Sequence, residues 1–142
     1  MKTMLLRPGD EALFKRAEDE FYPGVVTPER AAILLREPTF VMVVALDGDG
    51  DVMGRIYGHV LYRFEGTDFL LYEVDVVDRH QRKGAGRAII EHLKALAAER
   101  GWNEMWVLTD LDNEAGNALY NSAGGVLENS PANMYVFSTM TR

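Results

Sequence analysis

The sequence predicts an α/β (α+β) domain in which a mixed sheet of about six to seven strands is flanked by about four helices. Three observations lead there. Strand-like segments joined by short Gly/Asp turns fill residues 40–77, the pattern of an antiparallel meander. An apolar strand, a glycine turn and a helix then follow one another from Leu71 to Ala97, and a further strand after Gly101 closes a right-handed parallel crossover. Hydrophobic residues make up 47% of the 142 positions and charged ones 26%, which is enough to bury a real core. No linker or repeat interrupts the pattern, so one domain spanning residues 1–142 is expected.

In chain order, Met4 to Leu6 reads as a first strand, ended by Arg7-Pro8-Gly9. Asp10 stands as the N-cap of a helix in which Leu13, Phe14, Ala17 and Phe21 recur at helical spacing until Pro23-Gly24 breaks it. Thr27-Pro28 opens a second helix with the stripe Ala31, Leu34 and Leu35, which stops before Pro38. Phe40 to Leu46 is an almost continuous apolar strand. The aspartates of Asp47 to Asp51 alternate as in a calcium loop, but the glycine and glutamate of that motif would fall on Val52 and Gly58, so a hairpin turn is expected. Val52 to Phe64 returns, and Glu65 to Asp68 turns the chain into the central strand. Beyond Gly101 come a strand from Glu104 to Thr109, a short helix from Glu114 to about Ala123, and two final strands around Val126 and from Met134 to Thr139.

Composition removes several function classes. The chain has no cysteine, hence no disulfide, thiolate nucleophile or cysteine metal site. His59, His80 and His92 lack ligand spacing and read as wall or surface residues, so no metal is expected. Net charge is -7, unevenly spread: residues 1–78 carry 8 Lys+Arg against 15 Asp+Glu, whereas residues 79–142 carry 7 of each. An acidic domain repels nucleic acid and attracts a cationic small molecule. No apolar run approaches the roughly 20 residues that span a bilayer, and the start of the chain lacks a signal-like segment. A soluble cytoplasmic protein without a membrane partner is the expectation.

The chemistry concentrates between Leu71 and Ile90. Leu71, Val74, Val76 and Val77 form an apolar strand interrupted by Glu73 and Asp75, carboxylates that cost desolvation energy unless they are paired or used. Glu73 is therefore either a proton acceptor or half of a buried ion pair with an arginine such as Arg63. Asp75 lies two residues on, hence on the same face unless a bulge intervenes. Then follow Gln81, Arg82, Lys83, Gly84, Ala85, Gly86 and Arg87, a basic glycine turn opening a helix. Close backbone approach, free N–H groups and cationic side chains suit a di- or polyphosphate. The dinucleotide pattern fails because Ile89 stands at its third glycine, and the triphosphate loop fails because no G-K-[ST] follows.

The pattern that remains, Q/R-x-x-G-x-G/A after an acidic strand and ahead of a late Ala118-Leu119-Tyr120 helix, resembles the GCN5-related N-acetyltransferase (GNAT) superfamily over nearly the whole chain. Within it, the chain is most similar to the type I aminoglycoside 3-N-acetyltransferases. Arg63-Phe64-Glu65, Tyr72-Glu73, His80 to Gly84, and Asp110 ahead of the Ala-Leu-Tyr helix carry that match. Glu73 stands where the subfamily commonly has Asp. Asn113-Glu114-Ala115 replace an acidic pair and proline, and Tyr135 and Phe137 stand near its late histidine and aspartate.

The resemblance implies the GNAT fold, acetyl-coenzyme A as cofactor and direct transfer of an acetyl group to an amine. It implies that Glu73 accepts a proton and that Tyr120 serves the departing thiolate; a tyrosine packing the core is the other reading of Tyr120. The backbone of Val74 and Val76 would hold the pantetheine arm, and Gln81, Arg82, Lys83, Gly84, Ala85, Gly86 and Arg87 the phosphates. Asn113 and Asn117 would bind the pantetheine amides, or serve as cap or surface residues. Glu65, Asp68, Glu73, Asp75 and Asp110, with the Glu18-Asp19-Glu20 run, would form an acidic rim for an aminoglycoside, each carboxylate alone being also readable as plain surface. Edge-strand pairing into a homodimer is a further option of this kind. Two rivals stay open: the same chemistry on another small amine or a protein N-terminus, and a non-catalytic module that binds acyl-coenzyme A.

Overall fold

The computed structural model describes residues 1–128 and 132–139. Five strands form one sheet in the order β1 (Lys2–Leu5), β2 (Phe40–Leu46), β3 (Val52–Arg63), β4 (Gly66–Val76) and β5 (Glu104–Trp106). Pairing is antiparallel as far as β4 and parallel between β4 and β5. Four helices flank the sheet: α1 (Glu11–Asp19), α2 (Pro28–Arg36), α3 (Ala85–Arg100) and α4 (Glu114–Ser122).

The continuous apolar run of β2 is explained by its place between two layers, since a strand covered on both faces has no polar side to present. Phe40, Met42, Val44 and Leu46 join Phe14 and Ala17 of α1 and Ala31 and Leu35 of α2. Val41, Val43 and Ala45 point the other way, into Ile89, Ile90, Leu93 and Leu96 of α3. At about 25 cal/mol per Å² of apolar surface, these two layers supply most of the driving force for folding.

Local chemistry sets the ends of the elements. Thr27 Oγ1 accepts from the N–H of Arg30 at 3.1 Å and Pro28 fills the first turn of α2. Asp10 precedes α1 as expected, but its Oδ2 accepts from the N–H of Arg7 at 2.8 Å and makes no cap bond to the helix. Gly101 ends α3 with φ 73°, a left-handed conformation suited to glycine. Between β2 and β3, Asp47 Oδ1 accepts from the N–H groups of Asp49 and Asp51, each at 2.9 Å, which closes the expected hairpin turn.

Among the described residues the strand count is five rather than six to seven. β5 pairs only through Glu104, Met105 and Trp106, opposite Asp68, Phe69 and Leu70, instead of running to Thr109. The two final strands expected around Val126 and Met134 to Thr139 do not form among the described residues. Met134, Tyr135, Val136 and Phe137 are all at least 73% exposed, so these apolar side chains are not buried against a layer.

Candidate active site

A β-bulge decides where the central carboxylates point. Gly58 of β3 faces Leu71 of β4, whereas its neighbour Tyr57 faces Glu73, so Tyr72 is one residue in excess. Phe69 and Leu71 before the bulge, and Val74 and Val76 after it, all pack on the α3 side. Glu73 and Asp75 are thereby turned to the opposite face, toward α1. Gly58 tolerates this crowding because a Cβ there would overlap the carbonyl oxygen of Leu70 and the Phe69 ring.

On that face lies Arg55, fully buried in β3. Its Nε and Nη2 donate to the two oxygens of Glu18 at 2.6 and 3.2 Å, its Nη1 donates to Asp75 Oδ2 at 3.0 Å, and Nη2 lies 3.5 Å from Glu73 Oε1. The rings of Phe21, Tyr57 and Tyr22 surround the guanidinium with centroids at 4.8, 5.2 and 6.0 Å. One cation thus faces three carboxylates, and the cluster keeps a negative excess. Sequence reasoning missed Arg55. The available signal was a charged residue inside an otherwise apolar strand, which must be paired when buried.

Glu73 takes two further hydrogen bonds, from Tyr22 Oη at 2.5 Å and Tyr57 Oη at 3.2 Å. Burial alone would raise its pKa, but the Tyr22 phenol, a hydrogen bond with Asp75 and the Arg55 charge outweigh burial and hold it below the usual carboxylate value. Asp75 goes the other way, pushed up to about 6 by burial and by Glu73 beside it, with Arg55 opposing. The Glu73 carboxylate in turn raises the pKa of Tyr22, and burial followed by that same charge raises that of Tyr57.

The ion-pair partner suggested for Glu73 was Arg63; it is Arg55 instead. Arg63 sits at the far end of β3 and bonds Asp68 at 2.6 Å. Asp68 is only 3% exposed in that pair and belongs to no rim. Glu65 is exposed in the β3–β4 turn, eight residues from Glu73 and roughly 25 Å along the strand at about 3.3 Å per residue. The acidic run after α1 is also spent internally: Glu18 on Arg55, Asp19 on Lys15 at 2.7 Å, and Glu20 on Arg79 at 3.0 Å. Of the rim expected from the sequence, Glu73 and Asp75 remain together, with Glu20 nearby.

Two clefts meet at this point. One, of about 540 Å³, is lined by Glu20, Phe21, Tyr22, Asp75, Val76, Val77, Asp78 and Arg79. The other, of about 690 Å³, runs between β4, the start of α3 and α4, and includes Val74, Asp75, Val76, Gln81, Arg82, Gly84, Ala85, Gly86, Arg87, Asn113 and Tyr120. Asp75 and Val76 line both.

The second cleft has the features of a site for a phosphorylated, extended ligand. Because the β4–β5 ladder stops at Leu70, the β5-facing backbone edge of Leu71–Val76 has no neighbouring strand among the described residues. Gly84 precedes α3 with φ 85°, no side chain caps the helix, and its first turn carries no acidic residue, leaving N–H groups for an anion. Gly86 lets the elements close up: a Cβ there would stand 3.1 Å from Leu119 of α4 and 3.4 Å from Val76 of β4. Arg82, with φ 62°, and Arg87 add positive charge. These residues fit the diphosphate and pantetheine arm of a coenzyme A.

Tyr120 faces this cleft, with its phenol pKa raised by burial and by the charge of Asp75. Asn113 lines the cleft but uses its amide to cap α4, accepting from Gly116 N–H at 3.0 Å and donating to Thr109 Oγ1 at 2.9 Å. Asn117 donates to the carbonyls of Asp110 and Asn113 at 3.2 and 2.8 Å, so the cap reading describes it and it does not line the cleft. Lys83 lies outside the cleft lining as well. Asp110 is exposed after β5 and holds α4 through its carbonyl; its carboxylate lines neither cleft. Of the three histidines, His80 is buried 3.8 Å from Asp47, His92 Nδ1 bonds Thr3 Oγ1 at 2.8 Å, and His59 packs edge-on against Phe40.

Comparison with known proteins agrees with this geometry. Residues 10–124 match the acetyltransferase (GNAT) family. The ribosomal protein bS18-alanine N-acetyltransferase of Escherichia coli (strain K12) is 39% identical over 54 residues, which cover 38% of this chain and 36% of that protein. The chain therefore matches about a third of the length of that curated relative. Two solved structures superpose on nearly the whole chain. An aminoglycoside acetyltransferase from an uncultured soil metagenomic sample, in complex with sisomicin, has a TM-score of 0.88 at 20% identity and covers 97% of this chain and 96% of its own. A second such acetyltransferase, also from an uncultured soil sample, has a TM-score of 0.83 at 27% identity, with coverages of 96% and 98%.

Proposed function

The chain belongs to the acetyltransferase (GNAT) family, with acetyl-coenzyme A as its cofactor, and from that premise we propose that it acetylates an amino group of an aminoglycoside, the 3-amino group being favoured. The observation that carries this reading is Asp75, which lines both clefts where they meet and has Glu73 behind it in the same negative cluster. One cleft suits the acyl donor. The other presents carboxylates and the rings of Phe21 and Tyr22, a surface suited to a polyamine sugar, since ammonium groups bind both. The two superposed aminoglycoside acetyltransferases support the same acceptor class.

When bound, acetyl-coenzyme A supplies an acetyl group activated as a thioester. The chain's own residues do the rest. Backbone N–H groups from Gly84 to Arg87, with Gln81, Arg82 and Arg87, would hold the phosphates, and the open edge of Val74 to Val76 would pair with the extended arm. Tyr120 supplies a proton to the departing sulfur. Asp75, backed by the charge of Glu73, draws in the ammonium form of the acceptor, and a carboxylate there takes a proton from the nitrogen as it attacks.

The match to the bS18-alanine acetyltransferase favours a second reading, in which the acceptor is a peptide N-terminus. One assay separates the two: release of free thiol from acetyl-coenzyme A with gentamicin, sisomicin, kanamycin, spermidine and an alanine-terminated peptide. Turnover confined to the aminoglycosides, with product analysis placing the acetyl group on the 3-amine, is expected. Turnover of the peptide or spermidine alone would sink the aminoglycoside reading. A Tyr120→Phe protein that binds coenzyme A but loses most of its turnover distinguishes an enzyme from a binding module.

A further inference from the structure

We propose that Asp75, rather than Glu73, receives the proton given up by the attacking amine, and that Glu73 remains ionised throughout. This deepens the acetyl transfer proposed above and rests on it. Geometry is the first ground. Asp75 lines both clefts and is 39% exposed at its side chain, so it reaches the acceptor and the acyl-donor sides at once. Glu73 lines neither cleft, and both its oxygens are occupied, Oε1 by Tyr22 and Arg55 and Oε2 by Tyr57. To take a proton Glu73 would have to break a contact to a donor, whereas among the described residues Asp75 meets a cation only at Oδ2, through Arg55, and otherwise shares a hydrogen bond with Glu73.

Electrostatics agrees. A proton acceptor works best when its pKa lies near the working pH, and Asp75 is raised to about 6 while Glu73 is lowered. The groups facing Asp75 are Arg55 from β3, Glu73 on its own strand, Tyr22 from the loop after α1, Tyr120 from α4, and Glu20, Asp78 and Arg79 around the first cleft. Glu73 therefore acts as the fixed negative charge that keeps its neighbour basic.

The proton balance is simple. The acceptor enters as an ammonium ion and loses one proton to solvent before attack. As the nitrogen forms its bond to the acyl carbon, Asp75 takes a second proton from that nitrogen. The carbon–sulfur bond breaks, and Tyr120 gives one proton to the sulfur. Solvent reprotonates Tyr120 and clears Asp75, so one proton is released per turnover.

Two measurements test this, one needing no substrate. Carboxyl-carbon NMR titration of the free protein is expected to show the higher pKa of the pair at Asp75, about 6, and the lower at Glu73. Glu73 titrating above Asp75 overturns the proposal whether or not any amine is turned over. With the best amine of the panel, wild-type kcat/KM should fall below an acidic limb. Asp75→Asn should abolish the step of that limb due to the carboxylate, leaving only the amine's own ionisation, and lower kcat on the order of 10²–10⁴-fold, while Glu73→Gln should keep the carboxylate step but move it to lower pH, because the charge that raises it is gone. An unchanged limb in D75N, or its loss in E73Q alone, overturns the assignment. Urea midpoints check that each variant folds, and Asp75→Glu, which keeps the carboxylate, should recover the limb. An amine panel with no turnover sinks the acetyl transfer reading, and the titration order still decides the assignment.

Discussion

Replacing Arg55 by methionine removes the one guanidinium around which Glu18, Glu73 and Asp75 are gathered, at 2.6, 3.5 and 3.0 Å. Methionine fills much of the volume, so the loss is electrostatic. Two carboxylates left about 5 Å apart repel by about 3 kcal/mol at an effective dielectric of about 20. Glu18 is buried and bears this fully; Glu73 and Asp75 touch solvent, which screens their share. A destabilisation of about 3–5 kcal/mol at pH 7 is expected, the usual cost of stripping a buried pair of one partner. The melting temperature should drop by about 10 °C or more. The sign of the pH dependence follows. Without Arg55 the folded-state carboxylate pKa values rise above their unfolded values near 4, so the folded state binds more protons. Stability then falls as pH rises through that window, and the loss must be smaller at pH 5 than at pH 7. Urea unfolding at both pH values measures it, and Arg55→Met combined with Glu18→Gln should regain more than half. A loss under about 1 kcal/mol, or one equal at the two pH values, would refute the account of the cluster.

Further outcomes follow from the same contacts. Gly58→Ala places a methyl group against the Leu70 carbonyl and the Phe69 ring at the bulge; a loss of about 3 kcal/mol in chemical denaturation is expected. Gly86→Ala pushes Leu119 from 3.1 Å contact and parts α4 from α3; calorimetry should show weakened coenzyme A binding, with a stability loss of about 1 kcal/mol. Tyr120→Phe keeps the packing and removes the phenol proton; steady-state kinetics should show kcat down about 10²-fold with coenzyme A affinity unchanged.

What could be read from the sequence was local. The Thr27-Pro28 helix start, the Gly101 stop, the hairpin at Asp47 to Asp51 and the glycine turn before α3 each depend on residues a few positions apart, and each stands where expected. The central crossover was legible too, because its periods change cleanly from strand to helix. What failed was long-range. The partner of Glu73 depends on which strand lies beside β4 and in what register, so Arg63 was named where Arg55 serves. The bulge at Tyr72 follows from Gly58, fourteen positions away in the chain. Acidic residues counted as rim, Glu18 and Asp68, turned out to be internal counter-ions, because net charge does not reveal which carboxylates meet an arginine. The strand read at Met134 to Thr139 rested on side-chain preference alone, and no strand forms there among the described residues.

The short ladder between β4 and β5 carries a hazard. An unpaired strand edge invites another chain to add to it, and this one, Leu71–Val76, is flanked by the apolar Leu71, Val74 and Val76. A protein that keeps a ligand's docking edge open must keep strangers off it. Glu73 and Asp75, set into that very segment, are charges of the kind that discourage β-addition, so the residues proposed for chemistry double as guards of solubility. Neutralising both should leave the fold intact and make the ligand-free protein prone to self-association, with bound coenzyme A covering the edge and protecting it.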